Sequence, residues 1–307
     1  MNLYKLTDFG DQSIIIGSRV DYLRKNNLRL VKSDWLAKVN NKIDNSFKFR
    51  RDYGFDEQAF LQYYNLRAVQ FGNWLDYGDR ADHFLALVQA LGHLALIIDS
   101  ENIGWYNQLS IALGARGKTG ALAHYEPGMK VINLTKQKGG SSFAHEYGHA
   151  IDFIGGQYFS KNNKIYSLSA AQLTETDDSN AKTDEVRNLM NIVLDGVRAG
   201  ERYPALVKWA KAHRKYGYWC CNTEIWARTF AQFVALKCKN REIVDTVLCA
   251  KVDTGDVANI PVKELETLAP YIEKLVKLCS KYLNNGTQPP KATIKNPFKK
   301  TALNYCV

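Results

Sequence analysis

The spacing of apolar and polar positions predicts a protein built mainly from helices. Residues 80–99 form a long segment whose middle is almost wholly apolar, which indicates a buried helix. Between 184 and 199, apolar residues recur at intervals of three and four, and Gly200 then ends this amphipathic helix. Further helices are predicted over 143–154, which stops at Gly155-Gly156, from about Pro204, over 224–238 with Thr223 as its cap, over 241–250 and over 262–283.

A small amount of β-structure is predicted before the helix at residue 143. Residues 121–125 and 130–135 are short strand-like runs, and Glu126-Pro127-Gly128-Met129 lies between them. Pro followed by Gly suits a type II turn, so this stretch indicates a hairpin. We therefore expect an α+β fold, mostly helical, with a small β-hairpin or sheet. Residues 157–182 are polar and are expected to form a surface loop.

Chain length and charge divide the sequence into four predicted parts. The 307 residues are enough for one large domain or two modest ones, and the formal net charge is +10. We expect a basic N-terminal region at 1–65, a central domain at 66–240, C-terminal helices at 241–285 and a basic tail at 286–307.

Basic residues concentrate at the two ends of the chain. Between Arg24 and Arg51 there are nine Lys or Arg and two acidic residues, and aromatic side chains are interleaved with them. From Lys281 onward there is no acidic residue. These patterns are compatible with nucleic acid as a partner, while lysines around a small helical core explain the N-terminal pattern slightly better.

Cysteine usage and hydropathy favour a cytoplasmic protein. The six cysteines form no CxxC pair, as expected in a reducing compartment. The first residues lack the basic-then-apolar plan of a signal peptide. The longest apolar run, 84–98, contains Gln89 and His93 and is too short to cross a bilayer. We therefore expect no membrane partner.

The most specific chemistry lies in the HExxH segment that begins at His145 and ends at His149. Histidines four residues apart project from one helix face, so both imidazoles can bind one metal ion without backbone strain. Two imidazoles and a carboxylate suit Zn²⁺, with the fourth position left for water. Glu146 cannot join the same ligand face and is placed to accept a proton from that water. We therefore expect a zinc site with Glu146 as general base.

A peptidase site of this kind needs a third ligand from the protein. The extended metzincin motif would supply a histidine at position 155, where this chain has Gly155, so that form is excluded. A carboxylate on a later helix is the other solution, and Glu224 is the best candidate. A seam of small residues follows Glu224 and would let its helix pack closely on the HExxH helix: Ala227, Ala231 and Ala235. Four histidines without a supporting motif stay open as ligands: His83, His93, His124 and His213.

Two further side chains are expected to assist the site. Asp152 lies three residues past His149 on the same helix face, where it can accept a hydrogen bond from a ligand imidazole. Tyr218 shortly precedes Glu224, and its phenol could donate to the oxyanion of a tetrahedral intermediate. Tyr216 is an alternative for the same task.

Residues 67–234 resemble the first of the large polyvalent protein-associated domains, a family found in phage and mobile-element proteins. The matching segments follow one another in order: Phe71-Gly72-Asn73-Trp74, Leu113-Gly114-Ala115-Arg116-Gly117, Ala123-His124-Tyr125-Glu126-Pro127, Val131-Ile132-Asn133-Leu134-Thr135, residues 144–152, and Glu224 to Phe230. The last segment, EIWARTF, is also similar to the second zinc helix of anthrax lethal factor, a gluzincin peptidase, although the offset of the preceding tyrosine differs.

The resemblance implies a zincin-like metallopeptidase domain over 66–240, with zinc on His145, His149 and Glu224. It also implies that strand 130–135 lies along the active-site cleft, where an extended protein or peptide substrate could add as a further strand. A phage-encoded protein would act in the host cytoplasm or be packaged in the virion. The alternative is a nucleic-acid-associated accessory protein in which the zinc is structural or vestigial.

Overall fold

The computed structural model describes residues 57–72, 75, 77–115, 122–135, 140–159, 167–170, 185–243, 245, 247–249, 251–282 and 297. The predicted basic N-terminal region therefore lies outside the described residues up to residue 56. The predicted basic tail also lies outside them, except for residue 297.

The described chain has an α+β fold that is mostly helical, as predicted. In chain order the elements are α1 (Glu57–Tyr63), β1 (Ala68–Phe71), α2 (Tyr77–Ile98), β2 (Ser110–Leu113), β3 (Ala123–Glu126), β4 (Val131–Leu134), α3 (Phe143–Phe159), α4 (Glu185–Ala199), α5 (Tyr203–Ala212), α6 (Tyr216–Trp219), α7 (Asn222–Asn240) and α8 (Val262–Tyr282).

The described residues divide into two compact units. The first unit comprises those up to Glu146 together with those of 241–249. The second unit comprises those of 147–240 together with those from Lys251 onward. The four-part organisation expected from composition, with limits near 65, 240 and 285, stays a prediction.

The sheet of the first unit has the order β1-β2-β4-β3. β1, β2 and β4 run parallel, and β3 pairs antiparallel with β4, so the predicted hairpin is confirmed. Its loop is not the expected type II turn, which needs a positive φ at Gly128. Gly128 does not have one, and the left-handed residue is Lys130 with a φ of 52°.

The position of β4 in the sheet overturns one expectation. β4 is hydrogen-bonded to β2 along one edge and to β3 along the other. Since both edges are occupied, an extended substrate cannot add to this strand. The prediction that residues 130–135 accept a further strand is therefore wrong.

Helix α2 is the buried helix predicted over 80–99. Four of its apolar side chains are at most 1% exposed: Leu87, Ala90, Leu91 and Leu94. Among the described residues, no helix is both long and apolar enough to cross a membrane.

The helix predicted over 241–250 is wrong, because the described part of this segment is a turn organised by Asp245. The Asp245 carboxylate accepts hydrogen bonds from the backbone N–H groups of Val247 (3.0 Å) and Leu248 (2.9 Å). His93 Nδ1 on α2 lies 2.7 Å from the other carboxylate oxygen. A short acidic side chain that satisfies nearby N–H groups competes with the helical pattern in this way.

Helix α3 runs past the two glycines that were expected to end it and stops at Phe159. A Cβ on Gly155 would lie 2.7 Å from Leu168 Cδ1, and one on Gly156 would lie 2.4 Å from Ser167 Cα. The glycines therefore allow residues 167–170 to lie directly against the helix. This buried segment corrects the expectation that all of 157–182 is a surface loop.

Helices α4, α7 and α8 pack against one another in the second unit. The apolar stripe predicted on α4 is buried, with Val186, Leu189, Met190, Val193, Leu194 and Val197 among its members. At the edge of this packing, Lys274 Nζ on α8 donates to Glu185 Oε1 at 2.7 Å. The packing against α4 and α8 holds α7 in place.

Candidate metal centre

The candidate site depends on a close crossing of α3 and α7. A Cβ on Gly148 would lie 3.0 Å from Ala227 Cα, so the glycine leaves just enough room for the backbone of α7. Trp226 Nε1 donates a 2.8 Å hydrogen bond to the carbonyl oxygen of Gly148. The rings of Tyr147 and Phe230 meet beside this contact, with their centroids 6.1 Å apart. The crossing thus places the start of α7 against the middle of the HExxH helix.

The structure brings together the three ligands predicted from the sequence. One ligand atom from each of His145, His149 and Glu224 lies within 4.8 Å of the other two. His149 Nε2 is 3.4 Å from Glu224 Oε1, and these two side chains are 11% and 10% exposed. His145 is partly exposed. The cluster can therefore hold a metal ion, and His145 is its least buried member.

The donor set is chemically suited to a metal ion. Two imidazole nitrogens and one carboxylate oxygen form a three-ligand set that leaves a further coordination position open. Without a metal ion, the buried Glu224 carboxylate would lie against two imidazole rings that are charged only when protonated. A divalent cation would neutralise the carboxylate and use both imidazoles in their neutral form.

Glu224 is held at the beginning of α7 by the local backbone. The carbonyl oxygen of Cys221 accepts the backbone N–H of Ile225 at 3.0 Å, so Cys221 occupies the capping position. Thr223, the expected cap, lies inside the helix. Glu224 consequently falls in the first turn, where the helix dipole favours a negative charge.

Arg228 is a site residue that sequence reasoning missed. Its Nη1 lies 3.8 Å from Glu224 Oε2, and its Nη2 donates to the carbonyl oxygen of Trp219. The guanidinium carbon also lies 4.9 Å from the centre of the Trp219 ring. Burial lowers the pKa of Arg228 below its ordinary value, while the charge of Glu224 acts to raise it. The available signal was the four-residue spacing from Glu224, which puts both side chains on one helix face.

Asp152 is fully buried on α3 and is bound to the segment that lies against the glycines. Its Oδ1 accepts the backbone N–H of Ser169 at 2.8 Å, and its Oδ2 accepts the Ser169 hydroxyl at 2.7 Å. Burial raises the pKa of Asp152 to about 6, and the charge of His149 acts to lower it. The carboxylate is therefore close enough to His149 to interact with it electrostatically while Ser169 holds its orientation.

Glu146 and Tyr218 differ sharply in exposure. Glu146 lies within α3 directly after His145 and is 5% exposed. Tyr218 lies on the short helix α6 and is 58% exposed. The Tyr218 phenol is one of the groups whose charge acts on the pKa of Arg228, together with Glu224.

The other histidines that stayed open as ligands have different surroundings. His93 pairs with Asp245 as described above, and His124 Nε2 lies 3.1 Å from Glu126 Oε1 on β3. His213 stacks on Trp209. Neither these three nor His83 belongs to the metal-ligand cluster found among the described residues.

Comparisons with known proteins gave no match, whether the chain was scanned against protein-family models or searched against curated proteins and solved structures. The resemblance to the large polyvalent protein-associated domain therefore stays a prediction. The case for a function rests on the geometry of the cluster.

Proposed function

We propose that this protein is a zinc-dependent peptidase of the gluzincin type with a zincin-like core. The observation that carries the proposal is the convergence of His145, His149 and Glu224 within 4.8 Å. The histidines come from an HExxH helix and the glutamate from the first turn of a helix that crosses it. This combination supports a hydrolytic centre because it joins a three-ligand set to an adjacent carboxylate.

Zinc is the metal that best suits two imidazoles and one carboxylate in an accessible site. When bound there, it would lower the pKa of a coordinated water to about 7 and polarise the carbonyl of the scissile bond. The remaining tasks fall to the side chains of the chain itself.

Glu146 is the proposed general base. Its position next to His145 suits it to accept the proton that the attacking water loses. The same carboxyl group then gives that proton to the leaving amine nitrogen.

Three residues would position or assist this chemistry. Arg228 places a positive charge 3.8 Å from the second oxygen of the Glu224 carboxylate and would favour its ionised form. Asp152 influences His149 electrostatically and is itself held by Ser169. Tyr218 would donate a hydrogen bond to the oxygen that becomes negatively charged during attack.

Metal analysis combined with a peptide-library cleavage assay tests the proposal, with Glu146→Gln as the variant. We expect one zinc per chain in both proteins, since Glu146 is not a ligand. Cleavage by the variant should fall by roughly 10²–10⁴-fold, the usual contribution of a general acid–base group. If both proteins hold zinc and neither cleaves a library peptide above background, the peptidase proposal fails. A nucleic-acid-associated protein with a structural metal would then be favoured.

A further inference from the structure

A basic and aromatic surface lies just before the metal ligand Glu224 in the chain. We call it the α5–α6 surface and define it as Lys208, Lys211, His213, Arg214, Lys215, Tyr216 and Tyr218. Every residue from 211 to 218 is exposed. From Lys208 to Thr223 the chain has four Lys or Arg and no acidic residue. The surface therefore has a concentrated positive charge.

Three cations of this surface have no carboxylate partner among the described residues. In the part of the chain that the structure describes, Lys208, Arg214 and Lys215 form no ion pair with a carboxylate. Arg202, a few residues earlier, is different because its Nη1 lies 2.9 Å from Asp253 Oδ1. Unpaired exposed cations attract an acidic partner without first having to break an internal contact.

Three aromatic rings in or next to this surface have a partner on one face. His213 stacks on Trp209 with ring centroids 4.5 Å apart. The Lys211 ammonium lies 5.3 Å from the centre of the Tyr216 ring. The guanidinium of Arg228 covers Trp219 in the same way. Stacking of successive bases needs several open ring faces, and His213 and Tyr216 each have one face covered, so positive charge is the larger part of what this surface offers to a partner.

The α5–α6 surface is physically continuous with the metal centre. Trp209 makes an edge contact with Trp219, with their centroids 5.1 Å apart. Trp219 receives Arg228 on its face, and Arg228 contacts Glu224. A partner bound to this surface would therefore lie only a few side chains away from the metal ligand Glu224. Such proximity is expected of a substrate and is not required of an unrelated ligand.

Arg214 is a position at which glycine is a suitable test substitution. Its φ is 55°, in the left-handed region that favours glycine, at the end of α5. The backbone N–H of the next residue, Lys215, donates to the carbonyl oxygen of Ala210 at 2.8 Å and closes the helix. Glycine adopts this φ more readily than arginine, so Arg214→Gly removes the charge without adding backbone strain.

We infer that the α5–α6 surface binds an Asp- and Glu-rich segment of a peptide or protein substrate and guides it to the metal centre. Cleavage of that segment rests on the proposed peptidase function. Binding of the segment does not depend on that function, because the charges of the surface are present whether or not a reaction takes place at the metal.

Binding is best measured on zinc-loaded Glu146→Gln protein, which should not cleave the probe. The probe is a fluorescein-labelled peptide of ten glutamates, followed by anisotropy at low salt. The test variant adds Lys211→Gln, Arg214→Gly and Lys215→Gln, and the control adds Lys239→Gln, Lys263→Gln and Lys281→Gln. Both remove three exposed positive charges. We expect the Kd to rise at least tenfold in the test variant and less than twofold in the control.

Two outcomes would overturn the inference. One is an equal rise of the Kd in both triple variants, which would mean that only net charge matters. The other is a labelled single-stranded DNA 12-mer that depends on the test positions while the acidic peptide does not, which would assign the surface to nucleic acid. Arg214→Gly alone serves as the second variant, since it relaxes the backbone and should keep the melting temperature while weakening peptide binding.

The design separates this inference from the proposed function. If the acidic peptide binds through the surface and no peptide is ever cleaved, the surface stands and the peptidase proposal fails. If the otherwise wild-type protein cleaves neutral and acidic library peptides equally well, with and without the three substitutions, the peptidase proposal stands and the acidic-substrate inference fails.

Discussion

At the scale of single residues, some members of the candidate metal centre can be predicted from the sequence and others cannot. The two histidines and Glu146 follow from a five-residue spacing. The role of Arg228 does not follow from its spacing, because a glutamate and an arginine four residues apart usually form an exposed ion pair on a helix. Only the structure shows that this one is buried and also holds the carbonyl oxygen of Trp219.

Arg228→Lys should weaken metal binding. An ammonium cannot contact Glu224 and the Trp219 carbonyl oxygen together with the fixed geometry of a guanidinium. We expect a loss of 10–100-fold in metal affinity, as is typical for groups that orient a ligand. Competition with a chromophoric chelator measures it, and Arg214→Lys is the exposed control. An affinity equal to that of the wild type would show that Glu224 needs no such support.

Asp152 predicts a pH dependence of stability in the metal-free protein. Its pKa is about 6 in the folded chain and 3.8 as the ordinary value, so the folded state binds the proton more tightly. The free energy of unfolding should therefore fall as the pH rises from about 4 to about 6. The contribution of this group is on the order of 3 kcal/mol.

Asp152→Asn should remove that contribution, since an amide can keep both contacts with Ser169 and does not titrate. Urea unfolding at several pH values between 4 and 7 measures the difference, with the exposed substitution Asp256→Asn as control. Parallel stability curves for the wild type and Asp152→Asn would show that the buried carboxyl group is not the source of the slope.

At the scale of elements, a glycine can either end a helix or allow another segment to pack closely against it, and a single sequence does not show which of the two applies. Gly155 and Gly156 were expected to end α3, and they instead allow Ser167 and Leu168 to lie on it. Asp245 likewise replaces a predicted helix with a turn through its side-chain hydrogen bonds. The helical periodicity itself was reliable, because α2, α4 and α8 begin and end within a few residues of their predicted bounds.

Gly148→Ala should disturb the α3–α7 crossing, although alanine is the better helix former. The added Cβ would lie 3.0 Å from Ala227 Cα, so the backbone of α7 would have to move and carry Glu224 with it. We expect a loss of roughly 1–3 kcal/mol in stability, the usual cost of overpacking, with a lower metal affinity. Gly217→Ala is the control because its Cβ would meet nothing within 4 Å. Equal melting temperatures for the two variants would contradict this reading of the crossing.

At the scale of the whole molecule, the fold class was predictable and the sheet was not. The hairpin of β3 and β4 joins neighbouring segments, so local turn residues indicated it. Strands β1 and β2 have four residues each and pair in parallel across a long stretch of chain. Nothing local marks such a pairing, and for that reason the interior position of β4 was also missed.

Metal removal should lower the stability of the protein through mass action. A metal that binds only the folded chain adds about 2.7 kcal/mol when its free concentration is 100 times the Kd. We therefore expect a chelator to lower the melting temperature of the wild type, and zinc to restore it. Glu224→Ala should lose this response, while Lys239→Ala, on the same helix, should retain it. A chelator response in Glu224→Ala as large as in the wild type would place the metal elsewhere.

The hydrogen bond from Trp226 to the carbonyl oxygen of Gly148 gives the crossing its own optical signal. The indole is fully buried between the helices that carry the ligands, whereas its hydrogen-bond acceptor belongs to the HExxH segment itself. Indole emission depends on the polarity and hydrogen bonding around the ring. The difference spectrum between the wild type and Trp226→Phe therefore reports mainly on this indole, against a background of the other five tryptophans. Helix separation near the ligands can thus be followed in solution without any attached dye.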